Sequence, residues 1–237
     1  MDKVVLVTGG SGAVGSAMVR RFVEEGWKVV FTFFRNQKNA DQLEKETGAT
    51  AFQVDLTHRD QVIQAVQRVV DIFGQIDLLV NNAGHTQVMP FALIEEEDWD
   101  EILASNLKTM FLVTREVVRF MIPRKSGVII NIGSLAGHRL LEVPVHYAAA
   151  KAAVSGFTLA LAKELSRYNI RVNEVVPGLL SKGVGQLVPE KELAEYVRYC
   201  AAGRPGEPEE VADVVVFLGS DKARYMNAQS VFVDGGI

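Results

Sequence analysis

Residues 3–25, KVVLVTGGSGAVGSAMVRRFVEE, carry the strongest indication of the fold. The apolar run Lys3 to Val7 predicts a buried strand, and the spacing of apolar residues from Ala17 to Glu25 predicts an amphipathic helix. Between them lies a glycine-rich turn, Thr8 to Gly15. Glycines permit a tight turn and let backbone N–H groups approach a pyrophosphate at the helix N-terminus. This order of strand, turn and helix favours dinucleotide binding over a purely structural turn.

The rest of the chain repeats the alternation of strand and helix, with glycine or proline between the elements. Further strands are predicted at Lys28 to Phe34, Ala51 to Val54, Ile76 to Val80, Val128 to Ile132, Ile170 to Val176 and Ser230 to Val233. Further helices are predicted at Asn36 to Thr47, Arg59 to Phe73, Trp99 to Ile122, Tyr147 to Arg167, Glu190 to Ala201 and Glu209 to Leu218. The alternation predicts an α/β protein with a doubly wound parallel sheet and helices on both faces. Residues 1–237 form one predicted domain, in which residues 179–206 depart from the rhythm and suggest a substrate lid.

Composition excludes several classes of function. The chain has 237 residues, 48% hydrophobic and 23% charged, which is typical of a globular protein. No apolar run approaches the roughly 18 residues of a membrane span, and the N-terminus resembles a strand rather than a signal peptide, so we expect a cytoplasmic protein with no membrane partner. The net charge of -4 gives no basic surface for nucleic acid. Cys200 is the only cysteine, and no His or Cys cluster suggests a metal site.

The candidate catalytic residues are Ser134, Tyr147 and Lys151. On a helix, Tyr147 and Lys151 stand four residues apart and share a face. A phenol has a reference pKa of about 10, and a neighbouring ammonium favours the phenolate, so the pair moves Tyr147 toward proton transfer at neutral pH. Ser134 could hold the oxygen that is protonated. The spacing alone is weak, because five tyrosines produce a Tyr-x-x-x-Lys by chance in about one chain in four.

The end of the second strand bears on the choice of nucleotide. An acidic residue there would bind the adenine ribose hydroxyls, but Phe33, Phe34 and Arg35 occupy the position. Arg35 could pair with a 2′-phosphate, which favours NADP(H) over NAD(H) unless Arg35 is only a solvated charge. Asp55 ends the third strand, where its carboxylate either accepts from the adenine amino group or caps the next helix.

Two further polar positions lie beside predicted strands and helices. Asn81-Asn82-Ala83-Gly84 follows the fourth strand, where small residues and amides suit a cofactor as well as a simple turn. Asn106 interrupts a long helical pattern at a cost in helix propensity.

Together these motifs resemble the classical short-chain dehydrogenase/reductase family over essentially the whole chain. The residues that carry the resemblance are Thr8 to Gly15, Asn81 to Gly84, Asn106, Ser134, Tyr147, Lys151 and Pro177-Gly178. Within that family, Gly206 to Ala212 and the terminal Val233-Asp-Gly-Gly are similar to 3-oxoacyl-acyl-carrier-protein reductases, although these segments recur in relatives that act on other carbonyls.

The resemblance implies a seven-stranded Rossmann fold and a hydride transfer between a nicotinamide and a carbonyl carbon. It implies that Tyr147 donates the proton, Ser134 steadies the oxygen and Lys151 binds the nicotinamide ribose. Asn106 would hold a water that links Lys151 to solvent. The implied cofactor-binding residues are Gly9, Ser11, Gly12, Val14, Gly15, Arg35, Asp55, Leu56, Asn82, Ala83, Gly84, Tyr147, Lys151, Pro177 and Gly178.

Three positions depart from the family pattern. Ala13 replaces the middle glycine, so the turn also fits the Thr-Gly-x-x-Gly-x-x-Gly of longer epimerase-like relatives. Gly12 stands where NADP-dependent relatives often carry Arg or Lys. Lys182, beside Ser181, replaces a threonine that commonly contacts the carboxamide.

The function that these residues favour is an NADP(H)-dependent oxidoreductase that reduces a ketone, such as a 3-oxoacyl thioester, to a secondary alcohol. The alternatives are an NAD-dependent alcohol or sugar dehydrogenase and a non-catalytic nucleotide-binding regulator. His138, Arg139 and Arg204 could attract an anionic substrate, but solvated surface charge is the favoured interpretation. The family also implies a homotetramer, and helices Leu107 to Ile122 and Ala148 to Arg167 have apolar residues on more than one face, as an interface requires.

Overall fold

The fold is a single sheet of seven parallel strands in the order β3-β2-β1-β4-β5-β6-β7. The structure, a computed structural model, describes residues 2–237, with the side chains of residues 184 and 187 left aside. The strands are β1 Val4–Val7, β2 Lys28–Phe33, β3 Thr50–Gln53, β4 Leu78–Asn81, β5 Gly127–Ile132, β6 Ile170–Pro177 and β7 Ser230–Val233. The helices are α1 Ala13–Glu24, α2 Gln37–Thr47, α3 Arg59–Phe73, α4 Glu96–Leu103, α5 Thr109–Arg124, α6 Val145–Leu165, α7 Glu190–Tyr199 and α8 Pro208–Gly219.

Helices cover both faces of the sheet, which confirms the predicted doubly wound Rossmann architecture. Successive residues of β1 point to opposite faces: Val5 and Val7 pack under α1, α2 and α8, whereas Val4 and Leu6 pack under α3, α5 and α6. Burying one such side chain stabilises the fold by about 1.5–3 kcal/mol. Strands buried on both faces explain the continuous apolar runs in the sequence.

The strand order reverses between β1 and β4, and this point determines where a ligand can bind. The chain builds outward from β1 to β3, then returns to pair β4 with the other side of β1. In open α/β sheets a crevice forms at such a reversal, outside the carboxyl ends of the strands.

Helix α1 begins four residues earlier than the sequence predicts, at Ala13 rather than Ala17. Gly12 is its N-cap, so the second half of the glycine-rich turn is the first helical turn. Periodicity missed this start because Ala13, Val14 and Gly15 carry no amphipathic pattern. The consequence is that backbone N–H groups of these three residues lie at the carboxyl edge of β1, without helical partners.

The long helix predicted from Trp99 to Ile122 is divided into three parts. Helix α4 ends at Leu103, a π-helical turn spans Ala104–Lys108, and α5 follows. Helix α5 also continues two residues past its predicted end at Ile122. Pro123 is tolerated there because it lies in the last turn, where its missing N–H removes only one backbone hydrogen bond. Elsewhere the predicted elements exist with ends that differ by up to two residues, and α3 and β7 match in full.

The segment predicted as a lid leaves the end of β6 and returns to the start of α8. Its two ends are joined, since Ser181 N–H donates to Gly206 O at 2.8 Å and Gly206 N–H donates to Leu179 O at 2.9 Å. The Tyr196 hydroxyl of α7 accepts from Leu179 N–H at 3.0 Å and donates to Asp234 O at 3.3 Å. Among residues 2–237, none of the helices has the length and apolar character that a membrane crossing requires.

Candidate active site

One cleft of about 1550 Å³ lies along the carboxyl edge of the sheet, across the β1 and β4 reversal. All the residues that the sequence predicts for catalysis and cofactor binding line it. They are Gly9, Ser11, Gly12, Val14, Gly15, Arg35, Asp55, Leu56, Asn82, Ala83, Gly84, Asn106, Ser134, Tyr147, Lys151, Pro177 and Gly178. These residues come from eight separate segments of the chain, and the parallel sheet brings them together because the carboxyl ends of its strands share one edge.

The glycine-rich turn at one end of the cleft is built to receive an anion. Gly9 has a φ of 66°, in the left-handed region that glycine favours. A Cβ on Gly15 would overlap the Gly9 carbonyl, so a larger residue there would push the turn apart. Helix α1 has no acidic residue in its first turn and no side chain that caps it. Its free N–H groups and positive dipole end therefore suit a pyrophosphate.

Asn82 and Thr8 fix this turn to the end of β4. The Asn82 amide donates to Thr8 O at 2.9 Å and to Gly9 O at 3.1 Å. The Thr8 hydroxyl accepts from the N–H groups of Asn82 and Ala83 at 2.9 and 3.0 Å. Asn82 thus holds the shape of the cleft with its side chain. Asn81 lies apart from the cleft, inside the sheet, where its amide donates to Thr114 and Asn131 at 2.8 Å each.

Arg35 and Asp55 lie at the end of the cleft nearest β2 and β3. Arg35 is exposed beside the Phe34 ring, 5.5 Å from its centroid, and within residues 2–237 no carboxylate pairs with it. Its guanidinium is therefore available to an anionic ligand.

Asp55 does not cap helix α3. Its carboxylate instead accepts hydrogen bonds from Thr57 N–H at 3.0 Å and from Thr57 Oγ1 at 2.6 Å. Thr57 lies two residues before the first residue of the helix. Burial would raise the pKa of Asp55, but the Thr57 hydrogen bonds and the neighbouring His58 outweigh burial and lower it. Asp55 is therefore an ionised acceptor at the cleft wall.

Asn106 lies in the π-helical turn and has an acceptor to spare. Its amide donates to His85 O at 2.8 Å and to Ile102 O at 3.0 Å, so the side chain takes a carbonyl that a regular helix would use. This competition explains the widened turn. Its buried Oδ1 has no protein partner within the described chain and lies against Gly84. A buried amide oxygen of this kind normally binds a water or a ligand.

Ser134, Tyr147 and Lys151 form the centre of the cleft. Ser134 follows β5, while Tyr147 and Lys151 lie one turn apart near the start of α6. The Lys151 Nζ is 5.8 Å from the centroid of the Tyr147 ring and donates to Ile132 O at 3.0 Å. The Tyr147 N–H donates to the ring of the preceding His146 at 3.0 Å, which fixes the first turn of the helix. A carbonyl oxygen placed between Ser134 and Tyr147 would meet two hydroxyls.

The protonation of this centre differs from the sequence prediction. Burial raises the pKa of the Tyr147 phenol, and the Ser134 hydroxyl only partly offsets that rise. The Lys151 ammonium, 5.8 Å from the centroid of the Tyr147 ring, does not reverse that rise. Burial also lowers the pKa of Lys151 to about 8, against the charge of Glu174, which raises it. At neutral pH both groups hold their protons, so Tyr147 has a proton that it can donate.

The other end of the cleft is mainly apolar, although Glu142, Glu192 and Glu195 also line it. Leu140, Leu141 and Val143 line it from the loop after Ser134, and Leu179, Leu180, Val188, Tyr196 and Tyr199 line it from residues 179–206. Lys182 also lines the cleft, but its ammonium lies 3.8 Å from Glu207 and 3.6 Å from Glu209. This wall suits an apolar substrate.

The three cationic side chains considered for an anionic substrate are not among the residues that line the cleft. Arg204 pairs with Glu210 at 2.7 Å, and Arg139 stacks on Phe232 at 4.9 Å. His138 points inward to Glu174, at 3.3 Å. Surface charge is thus the correct interpretation of Arg204, whereas His138 is partly buried.

The sequence contains one signal that periodicity overlooked, Glu174. It stands inside the apolar strand IRVNEVVP, where a charged residue is unusual, and it is fully buried beside Gly133. Within residues 2–237, no group of three or more His, Cys, Asp or Glu side chains could hold a metal ion.

Comparison with known proteins identifies similar sequences and structures along the whole chain. The family model described as short chain dehydrogenase matches residues 3–192. A 3-oxoacyl-[acyl-carrier-protein] reductase, FabG, from Thermotoga maritima is 40% identical, over 99% of this chain and 97% of that protein. An acetoacetyl-CoA reductase from Rhizobium meliloti is 37% identical over 100% of this chain and 98% of that protein. A solved structure of a short-chain dehydrogenase/reductase double mutant from Serratia marcescens superposes with a TM-score of 0.93, at 32% identity, over 99% of this chain and 97% of that chain.

Proposed function

The chain belongs to the short-chain dehydrogenase family, and on this premise we propose that it is an NADPH-dependent reductase of a ketone of the 3-oxoacyl thioester class. The observation that carries the proposal is the single cleft that joins an anion-binding glycine turn to Ser134, Tyr147 and Lys151. The chain is an NAD(P)-dependent oxidoreductase by family, and the similar proteins are named as reductases or dehydrogenases, which disfavours a non-catalytic regulator.

The residues present fit a nicotinamide dinucleotide. The N-terminus of α1 and the glycine turn would hold the pyrophosphate, Asp55 and Leu56 would line the adenine site, and Lys151 would bind the nicotinamide ribose. Ala83 and Gly84 line the cleft after β4, and Pro177 and Gly178 line it at the end of β6. When bound, the nucleotide supplies the hydride that reduces the carbonyl carbon.

The protein's own contribution is proton transfer and orientation. Ser134 donates a hydrogen bond to the substrate oxygen, and Tyr147 donates its phenolic proton to that oxygen as the carbon is reduced. The product is a secondary alcohol and the phenol becomes a phenolate. The spare Oδ1 of Asn106 would hold a water through which the proton returns from solvent.

Preference for NADPH rests on Arg35. No acidic side chain follows β2, and the exposed guanidinium suits a 2′-phosphate. Residues 179–206 would act as a lid, since their two ends are joined by hydrogen bonds and their apolar side chains line the cleft.

The experiment that tests the reaction measures NADPH oxidation with the purified protein. The panel includes acetoacetyl-CoA, a 3-oxoacyl chain on acyl carrier protein, the same chain on N-acetylcysteamine, and simple ketones. We expect turnover of at least one thioester, and the carrier arms separate recognition of the acyl chain from recognition of its carrier. Tight NADPH binding with no turnover of any carbonyl would contradict the proposed function.

We also infer a homotetramer that buries one face each of α5 and α6. Phe111 on α5 and Leu159 on α6 are 47% and 53% exposed, as apolar residues of an interface would be in a single chain. Light scattering at micromolar concentration should give four times the chain mass, and a monomeric mass would refute the inference.

A further inference from the structure

A buried polar cluster lies next to the active-site cleft, against Gly133. Its centre is Glu174 of β6, which is 0% exposed. Its carboxylate accepts hydrogen bonds from Ser155 of α6 at 2.9 Å and from Ser230 of β7 at 2.5 Å. The ring of His138 lies 3.3 Å from the other carboxylate oxygen and 3.0 Å from Ser155. We call these four residues the Glu174 cluster.

The hydrogen bonds indicate that Glu174 carries a negative charge. Oε2 accepts both hydroxyl hydrogen bonds and Oε1 lies within hydrogen-bond distance of the His138 ring, an arrangement that suits the acceptor-only, ionised form. A charge removed from water in this way needs a cation nearby. Lys151 of α6 supplies one, since the charge of Glu174 raises its pKa.

Glu174 and Lys151 flank consecutive residues at the end of β5. The Lys151 ammonium donates to Ile132 O at 3.0 Å, while the Glu174 carboxylate lies against Gly133, where a Cβ would overlap it. Ser155, which donates to Glu174, is one turn after Lys151 on the same face of α6. Lys151 is itself only 6% exposed. Two opposite charges therefore share a buried environment in which solvent screens them weakly.

The other titratable groups near Glu174 and Lys151 do not supply a buried charge of their own. Tyr147 faces Lys151 and is neutral at the pH of the reaction. His138 contacts the Phe232 ring edge-on, with 5.1 Å between the ring centroids. Arg139 stacks on the same ring, but its side chain is exposed to solvent. The burial that lowers the pKa of Lys151 is opposed by Glu174.

We propose that Glu174 is a positioning residue for the active site, whose buried negative charge keeps the Lys151 ammonium protonated beside Tyr147 and the nicotinamide ribose. The proposal rests on the proposed function, because it assigns the charge of Lys151 a part in that reaction. Without Glu174, Lys151 would become a neutral amine at lower pH, and the positive potential that holds the ribose and stabilises the Tyr147 phenolate would be lost.

The test compares pH profiles of the parent and Glu174→Gln, which keeps the size of the side chain and removes its charge. Because Lys151 must be protonated to act, activity falls on the alkaline side as it loses its proton. We expect the alkaline limb of kcat for carbonyl reduction to move to lower pH by roughly one unit in Glu174→Gln. The affinity for NADPH, followed by fluorescence, should weaken with pH over the same shifted range.

Two controls separate charge from packing. Asp77→Asn removes a hydrogen-bonded carboxylate at the opposite edge of the sheet and should leave the limb in place. His138→Gln perturbs the cluster but keeps the charge of Glu174. The alkaline limb of its kcat profile should therefore stay at the same pH as in the parent. An unshifted limb in folded Glu174→Gln, or an equal shift in His138→Gln, would overturn the proposal.

If Glu174→Gln does not fold, the double variant Glu174→Gln/His138→Gln takes its place with the same expected shift, since two neutral amides can bond each other. If the parent reduces no carbonyl, the proposed function fails, while the pH dependence of NADPH affinity still decides the role of Glu174.

Discussion

Polar side chains at the two edges of the parallel sheet differ in how fully they are hydrogen-bonded within the protein. At the amino edge, the Asp77 carboxylate accepts from Val4 N–H at 2.8 Å, Gln75 at 2.9 Å and Arg124 at 2.6 Å, and so joins β1, β4 and α5. At the carboxyl edge, the Asn106 Oδ1 has no partner among the described residues and the Lys151 ammonium has one protein acceptor.

This difference separates stability from function within one fold. At the amino edge, polar side chains use their hydrogen bonds to join strands and helices. At the carboxyl edge, some buried donors and acceptors have no protein partner, which lowers the stability of the fold. Such open capacity is what a ligand or water can use. Substitutions at the carboxyl edge should therefore affect turnover more than stability, and substitutions at the amino edge should do the reverse.

The largest effect is expected at Tyr147. Tyr147→Phe removes the proton donor and little else, so kcat should fall by roughly 10²–10⁴-fold. Affinity for NADPH should stay close to that of the parent, because the ring remains. Steady-state kinetics and fluorescence titration measure both values. Tyr168→Phe, beyond the other end of α6, serves as the matched control, and turnover of Tyr147→Phe within a few fold of the parent would exclude Tyr147 as the donor.

A smaller effect is expected at Arg35, at the rim of the same edge. Arg35→Ala removes the cation assigned to the 2′-phosphate, so the ratio of kcat/KM for NADPH to that for NADH should fall by roughly tenfold. The value for NADH should change little. Lys45→Ala, at the far end of α2, controls for loss of a positive charge. An unchanged ratio in Arg35→Ala would leave Arg35 a solvated surface charge.

The smallest effect on catalysis is expected at Asp77. Asp77→Asn weakens charged hydrogen bonds, so the free energy of unfolding should fall by about 1–3 kcal/mol while kcat is unchanged. Urea unfolding followed by circular dichroism, together with assays below the transition, gives the two quantities. A loss of kcat in a fully folded Asp77→Asn would show that the two edges are coupled. It would contradict the separation of stability at the amino edge from function at the carboxyl edge.

Much of the fold could be predicted from the sequence because its signals are local. Apolar runs, glycine stops and helical spacing lie within about ten residues of each element, as at α3, whose ends at Arg59 and Phe73 agree with the pattern. The π-helical turn at Asn106 could not be predicted in detail. The sequence shows a poor helix former there, but the carbonyl of His85 that its amide binds lies 21 residues away.

The candidate site divides in the same way. The residue types and their order along the chain could be read from the sequence: the glycines that a tight turn needs, Tyr147 and Lys151 one helical turn apart, and Arg35 in place of an acid. These depend on backbone conformation and short spacing, which neighbouring residues encode.

Three features emerge only in the folded chain: these residues share one cleft, burial raises the pKa of Tyr147, and Glu174 lies beside Gly133. Burial and charge depend on strands that are adjacent in space but distant in the chain, as β5 and β6 are. No local pattern carries that information, because the same glutamate on an exposed strand would be a solvated charge.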